Sequence, residues 1–342
     1  MKASVLIVSF IIFSCYSSMA IEYGAGEDWT VKYYNDHKVR YEDPMNVPST
    51  FKKAMKKGWK VGQIVGDDGY DCHNGGYFLG VRVIGPDPGL GLLYDIRGKL
   101  AGAQFLILDE NLSYADRKRF ELEPAYQKTE ILVGEKYEKF YQLTFYFRNP
   151  YKICDPEYYP ERGYEGRTID GMFIQRGKTA REKHILEVPL IMETNEKIDQ
   201  DWTRLNCYDG MGYVSGFYLE GWNETNCQRG FPVVGLYDPD NDYLVGIAVL
   251  TLLEYGENPK VSDWVDHLDP GEVQEVTRGP DCLKEHTILG LFFYGIAHPE
   301  DLSCPGSYKC ENSEVFFNII KILLMISSEL KSYELKLIYE FK

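Results

Sequence analysis

The alternation of apolar runs and polar turns along the chain predicts a mainly β protein. Residues 92–107 and 235–250 each contain an apolar pair, Tyr-Asp, a polar turn and a second apolar run, as expected of a hairpin. The runs 143–147 and 288–293 are apolar or aromatic at nearly every position. Such runs are typical of strands that are covered on both faces, as inside a sandwich.

The two hairpins belong to a longer internal repeat. Tyr94 and Tyr237 lie 143 positions apart (237 − 94), and Trp59 and Trp202 have the same separation (202 − 59). Several landmarks recurring in one order indicate a duplication, and chance similarity between two hairpins is the alternative. Two further pairs of landmarks follow the same order: Cys72 with Cys207, and Cys154 with Cys304.

We predict two tandem, similar β-sandwich or jelly-roll-like units with few short helices. Short helices are expected at residues 48–57, capped by Ser49 or Thr50, and at 114–122. Segments 168–175 and 184–192 read as a hairpin added to one of the sheets. The expected organisation is a signal peptide (1–20), an N-terminal extension (21–56), β unit 1 (57–154), a linker with the added hairpin (155–199), β unit 2 (200–304) and an atypical tail (305–342).

The N-terminus has the pattern of an export signal. A basic start is followed by the apolar run 3–14 and by small residues that favour cleavage after Ala20. A membrane anchor is the weaker alternative, because the run is shorter than the ~20 residues a span needs. Asn318 and Lys321 interrupt the apolar part of the tail in the same way. We therefore predict a secreted, extracellular protein without a membrane span.

Cysteine usage fits that compartment. Of eight cysteines, Cys15 leaves with the signal, and in an oxidising environment the other seven are read as disulfides with one thiol left over. The matched order of landmarks favours three pairs, although the sequence alone leaves the connectivity open: Cys72–Cys154, Cys207–Cys304 and Cys227–Cys282, with Cys310 unpaired. Two sequons, at Asn111 and Asn223, are candidate glycosylation sites.

The Tyr-Asp-turn-Leu-Ala-Gly-x-Gln core within residues 92–107 resembles a duplicated motif of secreted invertebrate proteins. The Cys-x-x-Gly-Met-Gly segment that begins at Cys207 has its counterpart in the same proteins. The resemblance covers most of residues 57–304 and implies secretion and duplication. No activity is assigned to that family, so the resemblance implies no catalytic residues.

Charge and motifs exclude several function classes. The chain has 52 acidic and 37 basic residues, a net charge of -15, which disfavours nucleic acid as a partner. The six histidines form no His-His, His-x-His or His-Glu-x-x-His pattern, so we expect neither a copper centre nor a zinc hydrolase. Serine-hydrolase elbows and nucleotide-binding loops are also missing from the sequence. We therefore expect no metal or other cofactor.

One constellation is a candidate for acid–base chemistry. Asp71 and His73 flank Cys72, so in an extended segment they project to the same side, where a carboxylate could orient an imidazole as general base. A solvent-facing polar turn is the alternative. His286, which precedes an apolar strand and follows Cys282, is the next candidate, although a lone histidine is more often structural.

Two functional hypotheses from different classes remain. The first is a binding protein that takes a small aromatic or apolar ligand, or an extracellular protein partner. The second is a cofactor-independent secreted enzyme, for example a luciferase-type oxygenase of a small aromatic substrate. An enclosed apolar pocket with His73 or His286 at its wall would favour the enzyme, and a flat exposed aromatic patch would favour binding. A structural matrix protein is disfavoured because short repeats are lacking.

Overall fold

The structure is a computed structural model that describes residues 29–32, 45–62, 70–133, 135–157, 171–181, 184–192, 197–199, 202–217, 233–254, 264–296 and 299–305. By its contacts the chain divides into two compact units. One comprises Met1–Ala20 with Pro305–Lys342, and of it only Pro305 is described. The other, Ile21–Cys304, contains the remaining described residues. The predicted signal peptide, Asn223, Cys227, Cys310 and nearly all of the predicted tail lie outside the described residues.

Antiparallel strands are the main regular structure of the described residues. In chain order they are β1 (Trp29–Lys32), β2 (Met45–Val47), β3 (Lys60–Val61), β4 (Val81–Ile84), β5 (Leu90–Tyr94), β6 (Leu100–Leu108), β7 (Gln127–Val133), β8 (Lys136–Tyr146), β9 (Met172–Gln175), β10 (Ile185–Val188), β11 (Lys197–Asp199), β12 (Trp202–Tyr208), β13 (Gly212–Phe217), β14 (Val233–Tyr237), β15 (Leu244–Glu254), β16 (Asp266–Leu268) and β17 (His286–Tyr294). They form a sheet with the order β10-β9-β8-β6-β5-β4-β3 and a sheet with the order β11-β12-β13-β14-β15-β17-β1-β2. β7 also pairs with β8, and β16 with β17, so the sheets have eight and nine strands.

Three α-helices begin at capped positions: α1 (Phe51–Lys56), α2 (Tyr114–Leu122) and α3 (Pro270–Thr277). Each begins after a residue whose side chain accepts a backbone N–H from the first turn: Thr50 for α1, Ser113 for α2 and Asp269 for α3. The helices predicted at 48–57 and 114–122 are confirmed. The pattern of the sequence did not predict α3.

The two sheets lie face to face over one shared apolar core. Phe293 of β17 stacks on Phe147 with ring centroids 4.8 Å apart and meets Phe145 of β8 edge-on at 5.7 Å. The prediction of a mainly β chain with few short helices is therefore confirmed. Two tandem sandwich units are not confirmed, because residues of both sheets contribute to one cluster.

The strands of the two sheets correspond to each other, apart from β11 at one edge of the nine-stranded sheet. In the β5–β6 hairpin the register shifts between Leu93 and Tyr94, and in the β14–β15 hairpin it shifts between Leu236 and Tyr237. The Tyr94 hydroxyl donates to the carbonyl of Pro48 at 2.6 Å, and the Tyr237 hydroxyl donates to that of Pro189 at 2.8 Å. The internal repeat predicted from the two Tyr-Asp hairpins therefore has equivalent strands and equivalent contacts.

The hairpins that precede the two repeats are exchanged between the sheets. The β1–β2 hairpin pairs with β17, at the end of the second repeat. The β9–β10 hairpin, which the sequence predicts as an addition to one of the sheets, pairs with β8 at the end of the first repeat. Each sheet is thus completed by the hairpin that precedes the other repeat, which ties the two sheets together.

Two of the three predicted disulfides are present. Cys72 is bonded to Cys154 and Cys207 to Cys304, each with an S–S distance of 2.09 Å. Cys282 is also disulfide-bonded. Its predicted partner lies outside the described residues, so that pairing stays a prediction. In the part of the chain that the structure describes, no helix is long and apolar enough to cross a membrane.

Candidate functional site

Asp71 and His73 lie on the surface, next to the first disulfide. Both side chains are exposed, and the Asp71 carboxylate accepts the backbone N–H of His73 at 2.9 Å. Among the hydrogen bonds of the described residues, none joins this carboxylate to the His73 ring. Asp71 therefore fixes the backbone of the turn and does not orient the imidazole.

His286 is buried at the first position of β17, with 7% of its surface exposed. Its Nδ1 donates to the carbonyl oxygen of Leu253 at 3.0 Å. The ring thus bonds to the neighbouring strand, in the nine-stranded sheet, whereas His73 precedes β4 of the other sheet. Across the described ranges, no three His, Cys, Asp or Glu side chains are grouped so that they could hold a metal ion.

A cleft lies between α3 and the outer face of the nine-stranded sheet. It is partly open to solvent. Its walls come from α3 and from strands β13 to β17. The lining residues are Met211, Val214, Val234, Leu236, Leu250, Leu268, Glu272, Val273, Val276, Thr277 and Phe292.

Local sequence explains how α3 closes the cleft. Val273, Val276 and Thr277 are spaced i, i+3 and i+4, so they share the helix face that is turned to the sheet. Below them Gly290 of β17 lets Leu268 approach, because a Cβ on this glycine would lie 2.5 Å from the Leu268 side chain. Gly290 thus lets β16 pack closely on β17, and α3 covers the face of the sheet beside them.

The interior of the cleft is apolar. The Thr277 hydroxyl donates to the carbonyl of Val273 at 2.6 Å, so its proton is already used within the helix. Glu272 is the charged member of the described lining, and it belongs to the first turn of α3. Neither His73 nor His286 is among the lining residues. This arrangement can bury an apolar molecule by the hydrophobic effect, and Glu272 is the lining group that could accept a proton.

The equivalent position of the eight-stranded sheet is polar. Arg82 pairs with Leu93 as Val214 pairs with Leu236. Likewise, three residues of the nine-stranded sheet stand where the eight-stranded sheet has polar ones: Ala248 for Gln104, Phe292 for Thr144 and Gly290 for Gln142.

Hydrogen bonds hold this polar cluster together. Arg82 is fully buried, and its Nη1 donates to the side-chain oxygens of Gln142 at 3.2 Å and Gln104 at 3.4 Å. Its Nε and Nη2 donate to the carbonyl of Gly62. Gln104 in turn donates to the Thr144 hydroxyl at 3.1 Å. Buried polar groups are tolerated when they are bonded in this way, so the cluster is a satisfied structural network.

Sequence reasoning missed the cleft because it missed α3. Asp269-Pro270 is a helix-start signal, and the valines at positions 273 and 276 have helical spacing. These signals stand in an eight-residue, acidic segment whose composition resembles that of a loop. The expected aromatic pocket is also absent from this cleft, whose lining is aliphatic apart from Phe292.

Comparison with known proteins adds no assignment: no family model matches the chain, and neither a curated protein nor a solved structure is significantly similar to it.

Proposed function

We propose that this chain is a secreted, disulfide-bonded glycoprotein that binds a small apolar ligand, aliphatic or aromatic, in the cleft beneath α3. The observation that supports the proposal is the apolar space itself, bordered by Val276 of the helix and by Leu236 and Phe292 of the sheet. Ligand pockets of proteins are lined mainly by apolar side chains, as this cleft is.

Burial of apolar surface supplies the affinity in this proposal. Each methylene that leaves water contributes about 0.8 kcal/mol, before the cost of immobilising the ligand is subtracted. A small ligand would therefore bind with modest affinity, and its affinity would rise with chain length until the cleft is filled. The disulfides are consistent with an extracellular location, and Asn111, in a turn after β6, remains a candidate glycosylation site.

An extracellular protein partner is the second candidate. Tyr70 and Tyr77 expose 59% and 58% of their surface and Tyr151 exposes 44%, all three close in sequence to the Cys72–Cys154 disulfide. Tyrosine is enriched at protein interfaces because its ring is apolar and its hydroxyl is polar. The enzyme alternative, a luciferase-type oxygenase with His73 as base, would need a pocket at that histidine, and the cleft beneath α3 is lined by other residues.

Binding of a neutral fluorescent probe, N-phenyl-1-naphthylamine, tests whether the cleft takes an apolar ligand. The probe should bind the wild-type protein, and Val276→Phe should abolish binding by filling the space. Val276→Ala, which enlarges the cleft, should preserve binding. Val133→Phe makes the same change at a half-buried valine of β7, which does not line the cleft. Equal probe binding by Val276→Phe and Val133→Phe would refute the proposal.

A further inference from the structure

We propose that a lysine face on α1 binds a sulfated polysaccharide. The face consists of the exposed lysines of the helix and of the residues that follow it: Lys52, Lys53, Lys56, Lys57 and Lys60. No residue of α1 lines the apolar cleft, so this surface is distinct from the proposed ligand site.

Positive charge is concentrated in this one segment of an acidic chain. The whole chain has 52 acidic and 37 basic residues, yet residues 44–66 contain five lysines and no Asp or Glu. In about 0.1 M salt, charges more than ~10 Å away are largely screened, so the nearby lysines dominate the local potential. The segment can therefore attract a polyanion although the net charge of the chain is -15.

The buried side of α1 holds the lysine face in place. Ala54 is buried in the core, and the Phe51 ring meets the Tyr94 ring edge-on with centroids 5.9 Å apart. Residues four positions apart are neighbours on a helix surface, so Lys52 lies next to Lys56. The helix thus has one side committed to the core and presents ammonium groups on the other.

Stability of the helix does not account for this arrangement. Like charges four residues apart destabilise a helix. A lysine in the first turn, such as Lys52, also opposes the helix dipole, whereas Lys56 in the last turn complements it. A bound polyanion would offset both unfavourable effects.

Three of the lysines take part in none of the ion pairs formed by the described residues: Lys52, Lys56 and Lys60. The first two lie on α1, and Lys60 begins β3 at the edge of the eight-stranded sheet. The charge that a polyanion can reach therefore extends from the helix to the edge of the sheet.

The turn beside α1 does not neutralise the lysine face. This turn contacts the helix through the Gly98 carbonyl, which accepts the N–H of Phe51 at 2.9 Å. Its acidic residue is Asp95, whose carboxylate is buried and pairs with Arg148 at 2.8 Å. That negative charge is already compensated inside the protein.

The chemistry of the face favours a sulfated polysaccharide over a membrane. A helix that binds a membrane surface buries a broad apolar side in the lipid. The apolar side of α1 faces the core, and Met55 is its exposed apolar residue. A sulfated polysaccharide needs no apolar contact, because its repeated anionic groups bind clustered lysines electrostatically. The disulfides are consistent with an extracellular location, where such chains occur.

Fluorescence anisotropy with fluorescein-labelled heparin tests the proposal. The wild-type protein should bind heparin in about 0.1 M salt and should not bind labelled dextran, which is uncharged. Binding should weaken steeply as the salt rises to about 0.5 M, because lysines that contact a polyanion displace its counterions.

A triple variant removes charge from the face itself. Lys52→Gln/Lys56→Gln/Lys60→Gln should lower the affinity for heparin about tenfold or more, since each exposed charge pair contributes up to a few-fold. Lys52→Arg/Lys56→Arg/Lys60→Arg keeps the charge and should keep the binding. Lys52→Gln alone removes the lysine that opposes the helix dipole, and it should weaken binding about twofold in case the triple variant fails to fold.

A second triple variant is the matched control for net charge. Lys118→Gln/Lys136→Gln/Lys178→Gln removes three exposed lysines, from α2, from the start of β8 and from the segment after β9. It should change the affinity for heparin by less than about twofold, because these lysines lie on other elements. Urea unfolding midpoints of both triple variants check that they are folded.

The outcomes decide between the lysine face and its alternatives. Absence of heparin binding by the wild type, or an equal loss in the two triple Gln variants, would overturn the proposal. Binding to vesicles that contain phosphatidylserine, without binding to heparin, would also overturn it and would assign the face to membranes. Naphthylamine binding in the cleft is measured separately, so failure here leaves the proposed function intact.

Discussion

The outer faces of the two sheets share one backbone register and differ in what occupies it. On the eight-stranded sheet, Arg82 and Gln104 form a buried, hydrogen-bonded cluster. At the matching positions of the nine-stranded sheet stand Val214 and Ala248, on the face where α3 leaves an apolar cleft. One scaffold thus supports a polar network at one face and a candidate binding space at the other. The two faces differ in their side chains and not in their backbone register.

The positions that the two repeats share are those where the backbone allows little choice. Gly80 and Gly212 both have positive φ, 98° and 77°, and a Cβ on either would press against the carbonyl oxygen of Tyr94 or Tyr237 respectively. Asp95 and Asp238 both accept backbone N–H groups within the turns that follow these tyrosines. The turn and its close approach are common to both repeats, while the outer faces have diverged.

The two disulfides should be equal in their effect on stability. They close loops of 82 and 97 residues, for which the chain-entropy model predicts about 4–5 kcal/mol each. We expect Cys72→Ala/Cys154→Ala and Cys207→Ala/Cys304→Ala to lower the free energy of unfolding by similar amounts in urea titrations. A large loss from one pair and none from the other would mean that the repeats are not equivalent units of stability.

The polar cluster should be more sensitive to truncation than its apolar counterpart. Arg82→Ala leaves the buried amide oxygens of Gln104 and Gln142 without their donor, and we expect a loss of about 3–5 kcal/mol. Val214→Ala removes only apolar contacts and should cost about 2 kcal/mol. Urea unfolding midpoints measure both. An Arg82→Ala loss no larger than that of Val214→Ala would show that the network does not stabilise the fold.

Local rules in the sequence predict much of this fold, and pairing over long distances in sequence is what they miss. The capping residue Thr50, the Tyr94 hairpin and the matched cysteine order depend on near neighbours or on the repeat. The pairing of β1 with β17 joins residues at opposite ends of the chain, and the alternation of polar and apolar positions is the same whichever edge a hairpin joins.

The candidate site is less predictable than the fold. Asp71 and His73 stand out by residue type, but a carboxylate two residues from a backbone N–H readily caps it, as Asp71 does. The cleft, in contrast, is made of common valines and leucines that look like any core residues in the sequence. It exists because α3 leaves space over the sheet, and such space depends on tertiary packing.

The paired tyrosines should act alike when their hydroxyls are removed. Burial raises the pKa of the Tyr94 and Tyr237 hydroxyls above the ordinary value, and each hydroxyl donates to a proline carbonyl. Tyr94→Phe and Tyr237→Phe should each cost about 1 kcal/mol at pH 7, measured by urea unfolding.

The same pair gives a pH dependence with a definite sign. Because the folded-state pKa is raised, the stabilisation is fully present below the unfolded pKa of about 10 and is lost as pH rises above it. Each Phe variant should therefore lose less stability than the wild type between pH 9 and 11. A steeper loss in a variant would contradict the assignment.

His73 should have the smallest effect on stability. Its side chain is exposed and lies outside the cleft, so His73→Ala should change the unfolding free energy by less than about 0.5 kcal/mol and leave probe binding unchanged. If the enzyme alternative is correct, the same variant should lower turnover by roughly a hundredfold or more, the scale of a lost general base. Impaired probe binding in His73→Ala would instead place the ligand near the first disulfide.

Photo-crosslinking tests most directly whether the ligand lies at the apolar face and not at the polar one. Decanol carrying a diazirine in its chain would be bound and irradiated, and the labelled peptides would be identified by mass spectrometry. We predict labels on residues 264–278 of the α3 segment and on residues 286–294 of β17, both suppressed by Val276→Phe. Labels concentrated on residues 70–94, which include Arg82 and the exposed tyrosines, would contradict the account.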